Sequence, residues 1–268
     1  MASMNPSDHS EFPASSDPVR RAEAGPWLIE LLPAGAYEAR YVAQRSAVGF
    51  AFDSQRGVHA IGSDRIRPFD AVPNGLAFVP AGCDVFSQSR NGGEYLRVLR
   101  EDGIALAGPH AFNNMIDLPA IHLARRMRNA LLKASPDDDW EGWALALVER
   151  MANDQTSSIP GRSSLTARRL RLLDEYMDAQ LAGPISVQDM ASLLRLSEGY
   201  LMRAFAQATG KSPHSYLIDR RIARARTLLR NPRQGLADIA QACGFASQAH
   251  MATTFKQRLG VSPKALRA

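Results

Sequence analysis

Asp189-Met190-Ala191 returns 49 residues later as Asp238-Ile239-Ala240, and the echo continues downstream at an offset of 50. Leu201 answers Met251, Phe205 answers Phe255, Gly210 answers Gly260, and Ser212-Pro213 answers Ser262-Pro263. Self-similarity at a fixed period means one supersecondary unit built twice. The offset changes between Leu196 and Ser197, or equivalently near Phe245-Ala246, where a turn between two helices tolerates an extra residue.

Each copy reads as helix, tight turn, helix. Ser186 is placed to cap a short first helix, with Asp189 near its positive end. Val187, Met190, Ala191 and Leu194 supply its buried side, and Ala191 and Ala240 are small where two helices must cross closely. Ser197 and Ser247 are placed to cap the second helices, which Gly210 and Gly260 end, each followed by a proline. The two units are expected over residues 187–208 and 236–258. Between them Tyr216, Leu217, Ile218, Ile222, Ala225, Leu228 and Leu229 form an apolar stripe opposite Arg220, Arg221, Arg224 and Arg226, the pattern of one long helix. Two helix pairs held on such a spacer suit successive major-groove faces of a DNA duplex, about 34 Å apart.

Charge distribution agrees. Residues 162–268 carry a formal +10 and residues 1–161 carry −5, so the second part is expected to face a phosphate-bearing partner.

The stretches Leu236-Ala237-Asp238-Ile239-Ala240-Gln241-Ala242-Cys243-Gly244-Phe245 and Phe255-Lys256-Gln257-Arg258-Leu259-Gly260-Val261-Ser262-Pro263 resemble the signature of the AraC/XylS-type transcription regulators. The resemblance covers residues 165–268. It implies a seven-helix DNA-binding domain, sequence-specific binding to double-stranded promoter DNA, and activation through contacts with RNA polymerase. Carried over by position, the family's outward residues are Glu198, Gly199, Met202, Arg203 and Gln207 in the first unit, and Gln248, Ala249, Ala252 and Thr253 in the second; the capping Ser197 and Ser247 join the DNA-binding candidates. Lys256 is a phosphate-binding candidate. Arg203 is the main base reader, since a guanidinium pairs bidentately with a guanine edge. The second unit departs from the pattern: Thr253 stands where members commonly carry Arg, His250-Met251 replaces an aromatic pair, and Ala265-Leu266-Arg267 lacks the usual Tyr.

Upstream the reading is architectural. Residues 1–25 are rich in Ser, Pro, Asp and Ala without apolar period and are expected to be a disordered leader. Short apolar runs at 27–32, 40–43, 48–52, 76–79, 84–87 and 95–99, punctuated by Pro-Ala-Gly, Pro-Asn-Gly and Asn-Gly-Gly, predict a cupin-like β-barrel or sandwich over 26–115. Ile121, Leu123, Met127, Ala130 and Leu131, then Trp140, Trp143, Ala144, Leu147 and Met151, predict a helical hairpin over 117–152 that either covers the barrel or pairs two copies of the chain. Polar residues 153–164 read as a linker. The expected organisation is thus an effector-binding and dimerising domain at 26–152 and an all-α domain with two helix-turn-helix units. Arg40, Arg45, Arg65 and Arg67 are the candidates for receiving an anionic effector.

Other classes find no support. His59, His110 and His122 are isolated, so no metal or cofactor is expected. There is no G-x-S-x-G elbow and no phosphate loop, so catalysis is not expected. Cys83 and Cys243 are 160 positions apart, no stretch reaches the roughly 20 apolar residues of a membrane span, and a cytoplasmic setting follows. The expectation is a regulator that senses a small effector, acts as a homodimer and activates transcription. A DNA binder of the same family that is ligand-independent or gated by another protein is the alternative.

Overall fold

The computed structural model describes residues 18–106, 111–134, 138–153 and 165–267. Residues 154–164 of the expected linker and residues 1–17 of the expected leader lie outside them, as does His110, while Asn153 of the expected linker belongs to a helix. Residues 20–24 do not belong to a disordered leader: they form β1 (Arg20–Ala24), antiparallel to β2 (Trp27–Leu32) across a turn at Gly25-Pro26. The strand holds because Ala22 and Ala24 pack on the core while Arg21 and Glu23 face water.

Eight further strands follow: β3 (Gly35–Val42), β4 (Ala47–Ala51), β5 (Gln55–Ile61), β6 (Arg67–Ala71), β7 (Leu76–Val79), β8 (Asp84–Gly92), β9 (Tyr95–Arg100) and β10 (Phe112–Met115). They make two sheets, six strands in the order β1-β2-β9-β4-β7-β10 and four in the order β3-β8-β5-β6. Of the expected barrel or sandwich, the described residues form no closed barrel. β6 and β10 are both edge strands, Pro68 in β6 lacks an N–H, and β10 breaks register on β7 between Phe112 and Met115. Side chain replaces ladder there: Asn114, at φ 62°, accepts from the Val72 N–H and donates to the Asp70 carbonyl, both at 2.8 Å.

The hairpin helices α1 (Leu118–Lys133) and α2 (Trp140–Asn153) lie on the outer face of the six-stranded sheet. Asp117 caps α1, accepting from the Ala120 N–H at 2.7 Å, and also takes the Arg150 guanidinium of α2, so one carboxylate fixes both helices. The stripe from Ile121 to Met151 is buried with Trp27, Ile29, Val48 and Phe50. Pairing of two chains through that stripe is therefore overturned, because its apolar surface is already consumed within one chain.

The carboxyl-terminal part is all helix: α3 (Ala167–Ala179), α4 (Val187–Leu194), α5 (Glu198–Thr209), α6 (Pro213–Leu229), α7 (Leu236–Ala242), α8 (Gln248–Leu259) and α9 (Pro263–Arg267). α3, α4 and α5 share a core of their own built on Leu173, Met177, Leu201 and Phe205. α7 and α8 instead join Phe255, Met251 and Ile239 to the same apolar core as the hairpin and the six-stranded sheet. α6 contributes to both, through Tyr216 and Leu217 on one side and Ile218 and Ile222 on the other.

Candidate nucleic-acid interface and effector cavity

The repeat is present in the backbone hydrogen bonds. Leu196 N–H donates to the Ala191 carbonyl, and Phe245 N–H to the Ala240 carbonyl, each at 2.9 Å. Both turns contain a left-handed residue at the same place, Arg195 at φ 54° and Gly244 at φ 74°. Ala246 is the inserted residue, and its N–H is taken by His250 Nδ1 at 3.3 Å, which gives that histidine a turn-closing role. Ser197 then accepts from the Tyr200 N–H at 3.3 Å and Ser247 from the His250 N–H at 3.1 Å, so both second helices are capped as the spacing predicts. The first helices differ: Ser186 and Asp189 form a reciprocal capping box on α4, whereas Gly235 gives α7 no side-chain cap.

This frame sorts the second-helix residues by face. Leu201, Ala204 and Phe205 of α5 and Met251, Thr254 and Phe255 of α8 are buried. Ser197, Glu198, Gly199, Met202, Arg203 and Gln207 are all exposed, as are Ser247, Gln248, Ala249, Thr253 and Lys256. Among the described residues Arg203 has no ion pair. Cys243 is fully buried, and burial pushes its thiol up to about 11, which leaves it unreactive near neutrality.

What the sequence did not signal is how the two parts engage. Three loops of the sheet region reach the helical part. Asn74 donates to the Thr209 carbonyl at 2.6 Å, Ser54 Oγ accepts from Arg220 at 2.8 Å, and Glu94 pairs with Arg226 of α6 at 2.6 Å and Arg128 of α1 at 3.5 Å. Glu94 is 1% exposed, and the two guanidiniums hold its carboxyl below the usual range despite burial. Neighbouring half-buried Asp53 is pushed the other way, by desolvation and then by the Glu94 charge. At the end of α5, buried Lys211 is paired with Asp219 of α6, and burial lowers its ammonium to about 8.

Between the two sheets lies a cavity of about 420 Å³. Its floor is Ala47, Gly49, Ala51 and Ala77 of the six-stranded sheet, and Phe69, Tyr37 and His59 cover it from the other. Tyr95 lies across Gly49 so closely that a Cβ there would be 1.7 Å from the hydroxyl, which makes that glycine obligatory. Among the described residues Arg97 is the one arginine on the lining, and it is neutralised by buried Glu30 at 2.8 Å. None of the four expected effector arginines lines this cavity. Arg40 lies over the Phe86 ring at 5.0 Å and Arg45 pairs with Glu101 at 2.8 Å, so both already have partners. Arg65 and Arg67 meet in a second hollow beside it.

Comparison with known proteins bears on the helical part. A family model described as a helix-turn-helix domain matches residues 190–268. The probable transcriptional regulator LumQ of Photobacterium leiognathi is 32% identical over 92 residues, 34% of this chain and 37% of that protein. The HTH-type transcriptional activator RhaS of Escherichia coli O1:K1 is 33% identical over 111 residues, 41% of this chain and 40% of that protein. This chain thus spans about two fifths of the length of the curated relatives it matches. A solved transcriptional regulator with an AraC-type DNA-binding domain from Chromobacterium violaceum is 31% identical, with 37% of this chain and 89% of that chain covered at a TM-score of 0.36. Over its carboxyl-terminal helices, this chain is therefore similar to the helix-turn-helix domains of AraC/XylS-type transcription regulators.

Proposed function

We propose that this chain is an effector-responsive transcription activator that reads duplex DNA through the helix pairs α4–α5 and α7–α8. The observation that carries the reading is the matched repeat: two units with the same turn hydrogen bonds, each presenting exposed polar residues beside a serine-capped helix start. Helix starts of this kind offer backbone N–H groups to phosphate, while side chains on the exposed face meet base edges. In this reading Arg203 reads a guanine, Gln207, Gln248 and Thr253 make the weaker base contacts, and Lys256 holds a phosphate. The cavity between the sheets is the effector site. Its mouth-to-interface route is short, since Gln55, Gly75 and Gly93 line it and sit next to Ser54, Asn74 and Glu94, the residues that touch the helical part. Occupation of the cavity shifts those three loops and with them the DNA readers. The chain acts in the cytoplasm as a homodimer that contacts RNA polymerase, and exposed Leu118 and Leu145 on the outer side of the hairpin support a pairing surface there.

Selection of bound duplexes from a random pool by the full chain tests the DNA reading. Two base clusters about one helical turn apart, roughly 10 base pairs, are expected, and a pool that emerges without sequence preference would refute it.

A further inference from the structure

The register of the four-stranded sheet decides where Arg67 points. His59 of β5 pairs with Arg67 of β6, Gly57 with Phe69, and Gln55 with Ala71. Cross-strand partners share a face, and so do alternate residues of one strand. His59, Phe69 and Ala71 all line the cavity, so Arg67 is on the cavity side of the edge strand, where the two sheets part between β6 and β10. Arg65 joins it in a hollow of about 290 Å³ that shares His59, Ile61, Phe112 and Asn113 with the cavity. The hollow is the cavity's outer vestibule. Among the described residues neither guanidinium has a carboxylate partner: Asp64, which precedes them, pairs with neither, and Asp70 is taken by Arg56 at 3.5 Å.

The interior is electrostatically closed in comparison. Arg97 is matched by Glu30, burial keeps the Tyr37 and Tyr95 hydroxyls protonated, and burial lowers His59 so that it is neutral. A charge brought inside would lack compensation and would lose its hydration. The same charge at the rim would meet two guanidiniums whose planar forks suit a carboxylate. The shape is equally directional, since an Ala and Gly floor opposite aromatic rings favours a flat apolar body. A cavity of about 150 Å³ holds one benzene, so the space available suits a body of two rings.

We propose that the cavity takes an amphipathic monocarboxylate, with its flat apolar body between the sheets and its carboxylate at the vestibule against Arg65 and Arg67. This rests on the effector reading above and assigns that ligand its chemical class.

The test uses calorimetric titration of the full chain with two matched series: benzoate, 2-naphthoate and biphenyl-4-carboxylate, and the corresponding uncharged methanols. The expected result is binding that tightens with body size, with the two-ring acids at least tenfold tighter than their alcohols. Arg65→Ala/Arg67→Ala, both exposed positions, should bring the acids down to the alcohols' affinity and leave the alcohols unchanged. Ala77→Phe, which fills the floor, should abolish both. Alcohols that bind as well as acids, or acids that ignore the double substitution while Ala77→Phe still abolishes them, would overturn the carboxylate assignment and leave the cavity reading standing. If no member of either series binds, both fall.

Discussion

Gly210 and Gly260, equivalent positions of the repeat, both end their helices against the same helix of the other part of the molecule. A Cβ on Gly210 would stand 2.4 Å from Ile121 Cδ1, and one on Gly260 would stand 2.3 Å from Lys133 Cε. Ile121 and Lys133 lie twelve residues apart on α1, about 18 Å at 1.5 Å per residue. α1 thus splints the ends of α5 and α8 at a set separation. Both glycines have positive φ, 66° and 75°, so a side chain adds backbone strain as well. Gly210→Ala should cost about 2 kcal/mol and Gly260→Ala about 1 kcal/mol, because a lysine tip yields more easily than a buried isoleucine. Urea unfolding of the full chain measures both, and Ile121→Ala should recover part of the Gly210 loss.

The two left-handed turn residues predict opposite outcomes. Arg195→Gly should stabilise by up to about 1 kcal/mol, since the arginine holds a φ that costs roughly that much. Gly244→Ala should destabilise by more than about 2 kcal/mol, because its Cβ would stand 2.4 Å from the Leu181 carbonyl oxygen as well as in a strained φ. Thermal midpoints of the two variants should move in opposite directions.

Glu94→Gln should lower stability by about 3 kcal/mol, since it leaves the largely covered Arg128 and Arg226 around a neutral amide. Limited proteolysis should then release the helical part from the sheet region faster. An unchanged cleavage rate would deny this carboxylate its role at the junction.

DNA binding should divide by residue. Arg203→Ala should cost about 1–3 kcal/mol on the selected site and little on random duplex, whereas Lys256→Ala should weaken both about equally. Gel-shift titration of both variants on both duplexes distinguishes these roles, and equal losses everywhere would erase the distinction.

Lys211 imposes a direction on the pH response. Its folded value of about 8 lies below the ordinary 10.5, so between those limits the unfolded chain binds more protons and stability rises with pH, by at most about 1.4 kcal/mol per unit. Relative to Lys211→Met, the wild-type chain should therefore gain stability from pH 8 to pH 10. A flat difference between the two unfolding curves would contradict this.

The helical part was legible because its determinants are local or periodic. Ser197, Ser247, Gly210 and Gly260 act on neighbouring backbone, and the offset change at Ala246 is visible in the chain itself. β5 and β6 were not legible: Gln55 and His59 face a cavity rather than a packed core, so the apolar alternation that marks a half-buried strand is missing. Arg20 to Ala24 resembles a leader for a related reason, since two alanines are a faint apolar signal. The contacts of Glu94 with Arg128 and Arg226 join three distant elements, and no spacing rule links them. Arg65 and Arg67 were identifiable as residues, but their place beside the cavity depends on strand register.

Much of the positive charge along α6 is already committed. Arg220 is held by Asp174 at 3.2 Å and by Asp178, Arg221 donates to the Gly183 carbonyl at 2.8 Å, and Arg226 belongs to Glu94. A duplex approaching this protein therefore displaces fewer condensed counterions than the arginine tally suggests. Its grip should fade gently as ionic strength climbs, with a larger share of affinity resting on the bases it reads.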